Sequence, residues 1–391
     1  MPPISVLIKP ASSKCNLKCK YCFYHDVANN RTVADFGFIS LETIEIIIKK
    51  VLQFASGNAT FSFQGGEPTL CGIDFFKSVV KLQNIHNINN VLINNCIQTN
   101  GILIDEKWAE FLHDYKFLVG LSLDGPRNLH DKYRNDAKGS GTYVKVTETA
   151  ALFDKYKVEY NILFVVTGQT TRAPETLYDF FKTNGFNFLQ FIPCLEPEGH
   201  ERGVLKYSLK PEQFTYFLKR FFDKWYVDFM GGREVSVRYF DNLVRMVMGM
   251  HPEMCSLLGS CQCQFVFESN GSVYPCDFYV TDAWKLGNIH ENGLLELYES
   301  STSRRFKESS LAAASSCSKC KWKNLCRSGC RRDRENTRTK ELERNYYCQA
   351  YKNFLEYAYP KLFKVARYVK MMQAKQRAAL ANANTMKGQI I

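Results

Sequence analysis

Two kinds of hydrophobic pattern alternate along the first half of the chain. Short β-rich runs occupy Ser5–Ile8, Ala59–Phe63, Val91–Gln98, Phe117–Leu123, Glu159–Val166 and Phe188–Ile192. Between them, apolar residues recur at helical spacing over Leu41–Phe54, where Ser40 supplies an N-cap. The same holds for Ile73–His86, Glu106–Tyr115, Val144–Tyr156 and Pro174–Thr183. Such alternation predicts parallel strands joined by right-handed crossovers. Six strands predict an α/β fold built on a partial, TIM-like (β/α)6 barrel, short of the eight strands of a full one. Chemistry in such barrels sits at the C-terminal ends of the strands. The loops after the first four runs are Cys15–Cys22, Gln64-Gly65-Gly66-Glu67-Pro68, Gln98-Thr99-Asn100-Gly101 and Asp124-Gly125-Pro126. All are therefore expected at one end of the barrel.

The pattern changes further on. Residues 211–250 read as helices rich in aromatic and basic side chains that bridge two domains. Asn270-Gly271, between the alternating residues of Gln264–Cys276, predicts a hairpin. Residues 352–375 read as an amphipathic helix that packs back on the protein. From 374 to 391 the Ala, Asn, Lys and Gln composition predicts a frayed helix or disorder. The expected divisions are 1–235, 236–350 and 351–391.

Hydrophobic residues make up 45% of the 391 and charged residues 23%. These values fit a soluble globular protein of two or three domains and exclude a disordered chain. No apolar run approaches the roughly 18 residues of a membrane span. Met1–Lys9 lacks the charged region that precedes the apolar stretch of a signal peptide. The expected location is the cytoplasm, with no membrane partner. The net charge is +12, and residues 331–391 hold fourteen basic and five acidic side chains. A basic tail can indicate nucleic acid. This one carries no nucleic-acid motif and reads as a solvated helix face, so no nucleic-acid partner is expected.

The fifteen cysteines carry the chemistry. A chain this long needs no disulfide staples, and clustered cysteine without an export signal points to metal. Cys15, Cys19 and Cys22 form C-x3-C-x2-C. Cys255, Cys261 and Cys276 form a middle group, with Cys263 an ambiguous neighbour. Cys317, Cys320, Cys326 and Cys330 form C-x2-C-x5-C-x3-C, and Cys348 follows. Cys71, Cys96 and Cys194 are scattered and read as core thiols. A four-iron cluster normally takes four thiolates. Eight cysteines in the C-terminal half fill two such sites, while three near the N-terminus leave one iron without a protein ligand. An open coordination position distinguishes a reactive metal site from a closed structural one. Zinc is the alternative for Cys317, Cys320, Cys326 and Cys330, which spacing alone would group together.

The C-x3-C-x2-C loop after the first strand, with Tyr21 before its last cysteine, and the Gly65-Gly66-Glu67-Pro68 loop after the second resemble the radical S-adenosylmethionine superfamily. Cys261-x9-Gly271-x4-Cys276, the C-x2-C-x5-C-x3-C run and Cys348 resemble the seven-cysteine pattern of its SPASM subgroup. More closely, residues 8–24, 63–70 and 273–279 look like those of anaerobic sulfatase-maturating enzymes. Together the matches cover residues 1–350.

The resemblance implies a C-terminal cysteine-rich SPASM iron–sulfur domain, three [4Fe–4S] clusters and S-adenosylmethionine. Cys15, Cys19 and Cys22 would hold the first cluster. Cys255, Cys261, Cys276 and Cys330 would hold one auxiliary cluster, with Cys263 able to replace Cys261. Cys317, Cys320, Cys326 and Cys348 would hold the other. Tyr21, Gly66, Ser122, Arg134 and Leu195 would contact S-adenosylmethionine, Arg134 being suited to a carboxylate. Gly65 and Gly66 would let backbone approach a ligand closely, and Glu67 would fix the loop or the ligand's amine. The implied reaction removes hydrogen from Cβ of a Cys or Ser in an unfolded sulfatase through a 5′-deoxyadenosyl radical. Asp277 would take the remaining thiol or hydroxyl proton and the auxiliary clusters an electron, giving Cα-formylglycine. Tyr24 and Gln64 would face the substrate. The implied partners of this monomer are the sulfatase polypeptide, extended in a groove, and a low-potential donor of the flavodoxin or ferredoxin type. Two other readings stay open. One is a SPASM maturase that forms thioether or other crosslinks in a different peptide. The other is an electron carrier or zinc-stabilised binding module, which would gain nothing from an open iron.

Overall fold

The computed structural model describes residues 3–312 and 315–387. Six parallel strands pair in sequence order: β1 (Ile4–Lys9), β2 (Asn58–Phe63), β3 (Leu92–Thr99), β4 (Leu118–Ser122), β5 (Tyr160–Val166) and β6 (Phe188–Pro193). Helices α1 (Phe23–Asn29), α2 (Leu41–Phe54), α3 (Ile73–His86), α4 (Glu106–Asp114), α5 (Arg127–Tyr133), α6 (Tyr143–Tyr156) and α7 (Pro174–Thr183) carry the crossovers. The α/β fold with a parallel barrel-type sheet is thus the one the hydrophobic pattern predicts. Helix α2 illustrates the local cause. Ile44, Ile47, Ile48, Val51 and Leu52 form a buried stripe, and Ser40 Oγ accepts the Thr43 N–H at 3.0 Å.

The barrel does not close, because both of its edges are taken. Strand β7 (Ser236–Val237) lies parallel to β6. On the other side β8 (Val266–Glu268) lies parallel to β1, followed by antiparallel β9 (Ser272–Tyr274) and β10 (Gly287–Asn288). The β8–β9 hairpin turns at Asn270-Gly271 as predicted, with Gly271 at φ +81°. The ten-stranded sheet therefore crosses the division expected at 235. The β1–β8 register sets Lys9 opposite Glu268 and brings the cysteine-rich region against the mouth of the barrel.

Helices α8 (Pro211–Met230) and α9 (Arg238–Val247) occupy the predicted helical stretch. Helix α8 packs on the C-terminal helix Cys348–Lys387, with Phe222 and Phe354 ring centroids 5.5 Å apart and Lys361 Nζ 2.5 Å from Asp223 Oδ1. The last helix continues to Lys387, in keeping with the helical alternative read for 374–391; alanine there is a strong helix former. Residues 388–391 lie outside the described residues. One expectation is corrected. Arg331, Arg332, Asp333, Arg334 and Glu335 are buried rather than on a solvated face, because they follow Cys330 into the interior. Among the described residues no helix is long and apolar enough to cross a membrane.

Candidate active site

A cavity opens at the C-terminal ends of the barrel strands. Cys15, Cys19, Cys22, Tyr21, Gly66, Ser122, Arg134 and Leu195, eight of the residues singled out in the sequence, all line it. The cysteine loop is held from two sides. Lys18 and Lys20 donate backbone N–H groups to Asn135 and Tyr133 at 2.8 and 3.0 Å, and Glu67 N–H reaches Lys14 O at 2.8 Å. The glycines serve this packing. A Cβ on Gly66, at φ +55°, would lie 2.1 Å from Lys14 O, and one on Gly65 would strike the Lys9 side chain at 2.5 Å. Both glycines also line the cavity, so their lack of a Cβ serves the packing against Lys14 and Lys9 at the cavity wall.

Glu67 fixes the loops. It is buried and accepts from Thr69 N at 3.0 Å, Thr69 Oγ1 at 2.6 Å, Thr99 Oγ1 at 2.7 Å and Asn100 N at 2.8 Å. Desolvation pushes its carboxyl up against these donors. Arg134 is buried, and its Nε bonds Asp124 Oδ2 at 3.1 Å. Asp124 also accepts the Tyr21 hydroxyl and the Val165 N–H. Against desolvation, Arg134 and His130 hold the Asp124 carboxyl below its usual range. Asp124 thus orients two cavity residues at once. Its loop was visible in the sequence, but its role was not, since its partners lie on three separate elements.

Asp277 begins a short helical turn after Cys276 and is buried. Its Oδ2 accepts the Tyr24 hydroxyl at 2.5 Å and Gln64 Nε2 at 3.0 Å, while its buried Oδ1 has no partner among the described residues. Tyr24 and Gln64 both line the cavity. Desolvation raises the Asp277 carboxyl, with Lys9 opposing it most strongly. Lys9 is itself paired with buried Glu268 at 2.9 Å, which Arg31 also contacts at 2.6 Å.

The remaining cysteines sort themselves by mutual electrostatic influence. Cys276 feels Cys330 and Cys255, and Cys330 feels Cys255 and Cys261. Cys326 feels Cys348, Cys317 and Cys320. These influences link Cys330 with Cys255, Cys261 and Cys276 and Cys326 with Cys317, Cys320 and Cys348, a pattern that spacing alone does not give. Cys263 instead meets Ser303 and Lys307. Cys194 is a core thiol as read, and it also lines the cavity. Cys71 and Cys96 are partly buried.

Comparison with known proteins completes the picture. Residues 10–181 match the Radical SAM superfamily, and residues 259–321 match the SPASM iron–sulfur cluster-binding domain. The cysteine-type anaerobic sulfatase-maturating enzyme of Clostridium perfringens (strain 13 / Type A) is 52% identical over 370 residues, 95% of this chain and 100% of that protein. The serine-type enzyme of Bacteroides thetaiotaomicron is 32% identical over 404 residues, covering 98% of this chain and 95% of that one. The solved structure described as native anSMEcpe with bound AdoMet and Cp18Cys peptide superposes with a TM-score of 0.91 at 51% identity, covering 94% of this chain and 100% of that one. The chain belongs to the radical SAM superfamily and, within it, to the anaerobic sulfatase-maturating enzymes.

Proposed function

We propose that this chain oxidises a cysteine of an unfolded sulfatase segment to Cα-formylglycine, with Asp277 as the base. The observation that carries the reading is the orphaned, buried Oδ1 of Asp277, joined through Tyr24 and Gln64 to a cavity lined by Cys15, Cys19 and Cys22. The greater identity to a cysteine-type than to a serine-type relative supports the thiol substrate.

The donor sets fit iron–sulfur clusters. Desolvation pushes Cys19 up to about 11 and Cys326 up to about 12, with neighbouring thiols adding to each. Thiols crowded in this way ionise when a cationic iron core is present. Cys15, Cys19 and Cys22 would hold the cluster that S-adenosylmethionine completes. Cys255, Cys261, Cys276 and Cys330 would hold one auxiliary cluster, and Cys317, Cys320, Cys326 and Cys348 the other. Tyr21, Gly66, Ser122, Arg134 and Leu195 would surround the S-adenosylmethionine. When bound, these groups supply hydrogen-atom removal at the substrate Cβ and acceptance of a second electron.

Converting CH2–SH to CHO also requires loss of the thiol proton and exchange of sulfur for water oxygen, with release of hydrogen sulfide. Asp277 Oδ1 receives that proton, while Tyr24 and Gln64 hold Oδ2 and so orient the carboxylate. We assign residues 1–235 to the barrel and 236–350 to the cluster domain, whose strands extend the barrel sheet, with the C-terminal helix, described to Lys387, after them. Fifteen free thiols suit the reducing cytoplasm, where a monomer would draw electrons from a flavodoxin- or ferredoxin-like donor.

Anaerobic incubation with sulfatase-derived peptides that carry Cys or Ser at the target position, read by mass spectrometry, tests the proposal. Aldehyde formation on the Cys peptide is expected. Unchanged peptide, or a crosslinked product, would overturn it.

A further inference from the structure

Arg331, Arg332, Asp333, Arg334 and Glu335 follow Cys330 directly, and all five are buried. Arg331 Nη1 donates to Phe306 O at 3.2 Å and Ser309 Oγ at 2.6 Å. Its guanidinium lies over the rings of Tyr279, Trp284 and Phe306 at 5.3, 4.9 and 5.0 Å. Arg334 donates to Ala312 O at 2.8 Å and Ser310 O at 2.6 Å. The Nε–H of each is buried without a partner among the described residues. Carbonyls, a hydroxyl and ring faces solvate these two cations; neither makes an ion pair there, and buried Asp333, the nearest carboxylate in the run, is shared among Arg202, Arg332 and Arg334. A buried cation without an anion is costly.

The anion they face is set by chain position and hydrogen bonding. Arg331 is covalently next to Cys330. Ser310, whose carbonyl takes Arg334, accepts the Cys261 N–H on Oγ at 2.9 Å. Both arginines therefore sit beside the group Cys255, Cys261, Cys276 and Cys330. In the other four-thiol group, the cations that act on Cys348, Arg344 and Lys352, are exposed and screened by water.

We propose that Arg331 and Arg334 are positioning residues that compensate the charge of the auxiliary cluster on Cys255, Cys261, Cys276 and Cys330 and favour its reduction by one electron. Reduction adds a negative charge to a site that already carries four thiolates. Permanent cations in a low-dielectric setting stabilise that added charge. The electron is the second one removed from the substrate, so the effect makes this cluster the better acceptor. The proposal rests on the ligand assignment of the preceding subsection.

The test compares the wild-type chain with the pairs Arg331→Gln/Arg334→Gln and Arg331→Lys/Arg334→Lys. Each is reconstituted anaerobically, its iron is counted, and its clusters are titrated electrochemically with detection by electron paramagnetic resonance. In the Gln pair one cluster is expected to become at least about tenfold harder to reduce, about 59 mV for one electron. The other two clusters should stay put, and the Lys pair should recover most of the loss. A role confined to capping the helix Ser301–Ser310, whose last carbonyls the arginines contact, would move no midpoint. Loss of iron from the Gln pair but not the Lys pair also supports the proposal, since charge separates the two. Unchanged midpoints in the Gln pair, or equal losses in both pairs, would overturn it. A wild-type chain that lacks the iron of its auxiliary clusters would break the ligand assignment instead.

Discussion

The three-thiol loop and the two four-thiol groups meet similar ligand requirements over different spans of sequence. Cys15, Cys19 and Cys22 lie on one loop, which a regular strand delivers to the barrel mouth. The groups of four draw on residues from 255 to 348 and include Arg327 and Ser328 at positive φ, with little regular structure to guide them. The local loop faces a cavity; on the proposed assignment its ligand count would be open, and those of the assembled sites complete. Three thiols suit a site for chemistry, and four suit electron storage.

Breaking each site separately should give different losses. Cys15→Ala is expected to abolish release of 5′-deoxyadenosine; unchanged nucleoside release would contradict the assignment. Cys261→Ala is expected to keep that release while formylglycine formation falls by at least about tenfold. Equal loss of both would mean that the two regions are not functionally separate. Asp277→Asn should likewise keep nucleoside release and form little formylglycine. In the unsubstituted chain the ionised carboxylate is the proton acceptor, and desolvation has raised its titration. Activity should therefore be present above that raised value and fall as pH drops through it, and a pH profile checks the sign. Glu67→Ala would strand two hydroxyls and two backbone N–H groups. A stability loss of about 3 kcal/mol by denaturant titration is expected, with weakened nucleoside release and intact auxiliary iron. The smallest effect is Ser40→Ala, about 1 kcal/mol from the lost N-cap, with both kinds of site unaffected.

The barrel was legible because its signals are local. Strand runs and helical stripes matched the described elements, and the Asn270-Gly271 hairpin fell where the pattern put it. The loop cysteines were legible for the same reason. What stayed hidden was set by pairing at long range. Spacing groups Cys330 with Cys326, whereas the electrostatic influences tie Cys330 to Cys276, Cys255 and Cys261. The β1–β8 pairing, which aligns Lys9 with Glu268, leaves no trace in either segment alone. Glycines at 65 and 66 signalled close approach to a ligand; their packing against the chain's own Lys14 and Lys9 could not be read from the sequence. The buried run after Cys330 read as a solvated face because composition carries no information about which carbonyls and rings surround a guanidinium.

One spectroscopic measurement bears most directly on the open, three-thiol site. The reduced, anaerobically purified protein is examined by electron paramagnetic resonance before and after S-adenosylmethionine is added. A changed signal from the N-terminal cluster, with the two auxiliary clusters unaffected, is the expected result. A spectrum identical in both states would contradict an iron left free for that cofactor.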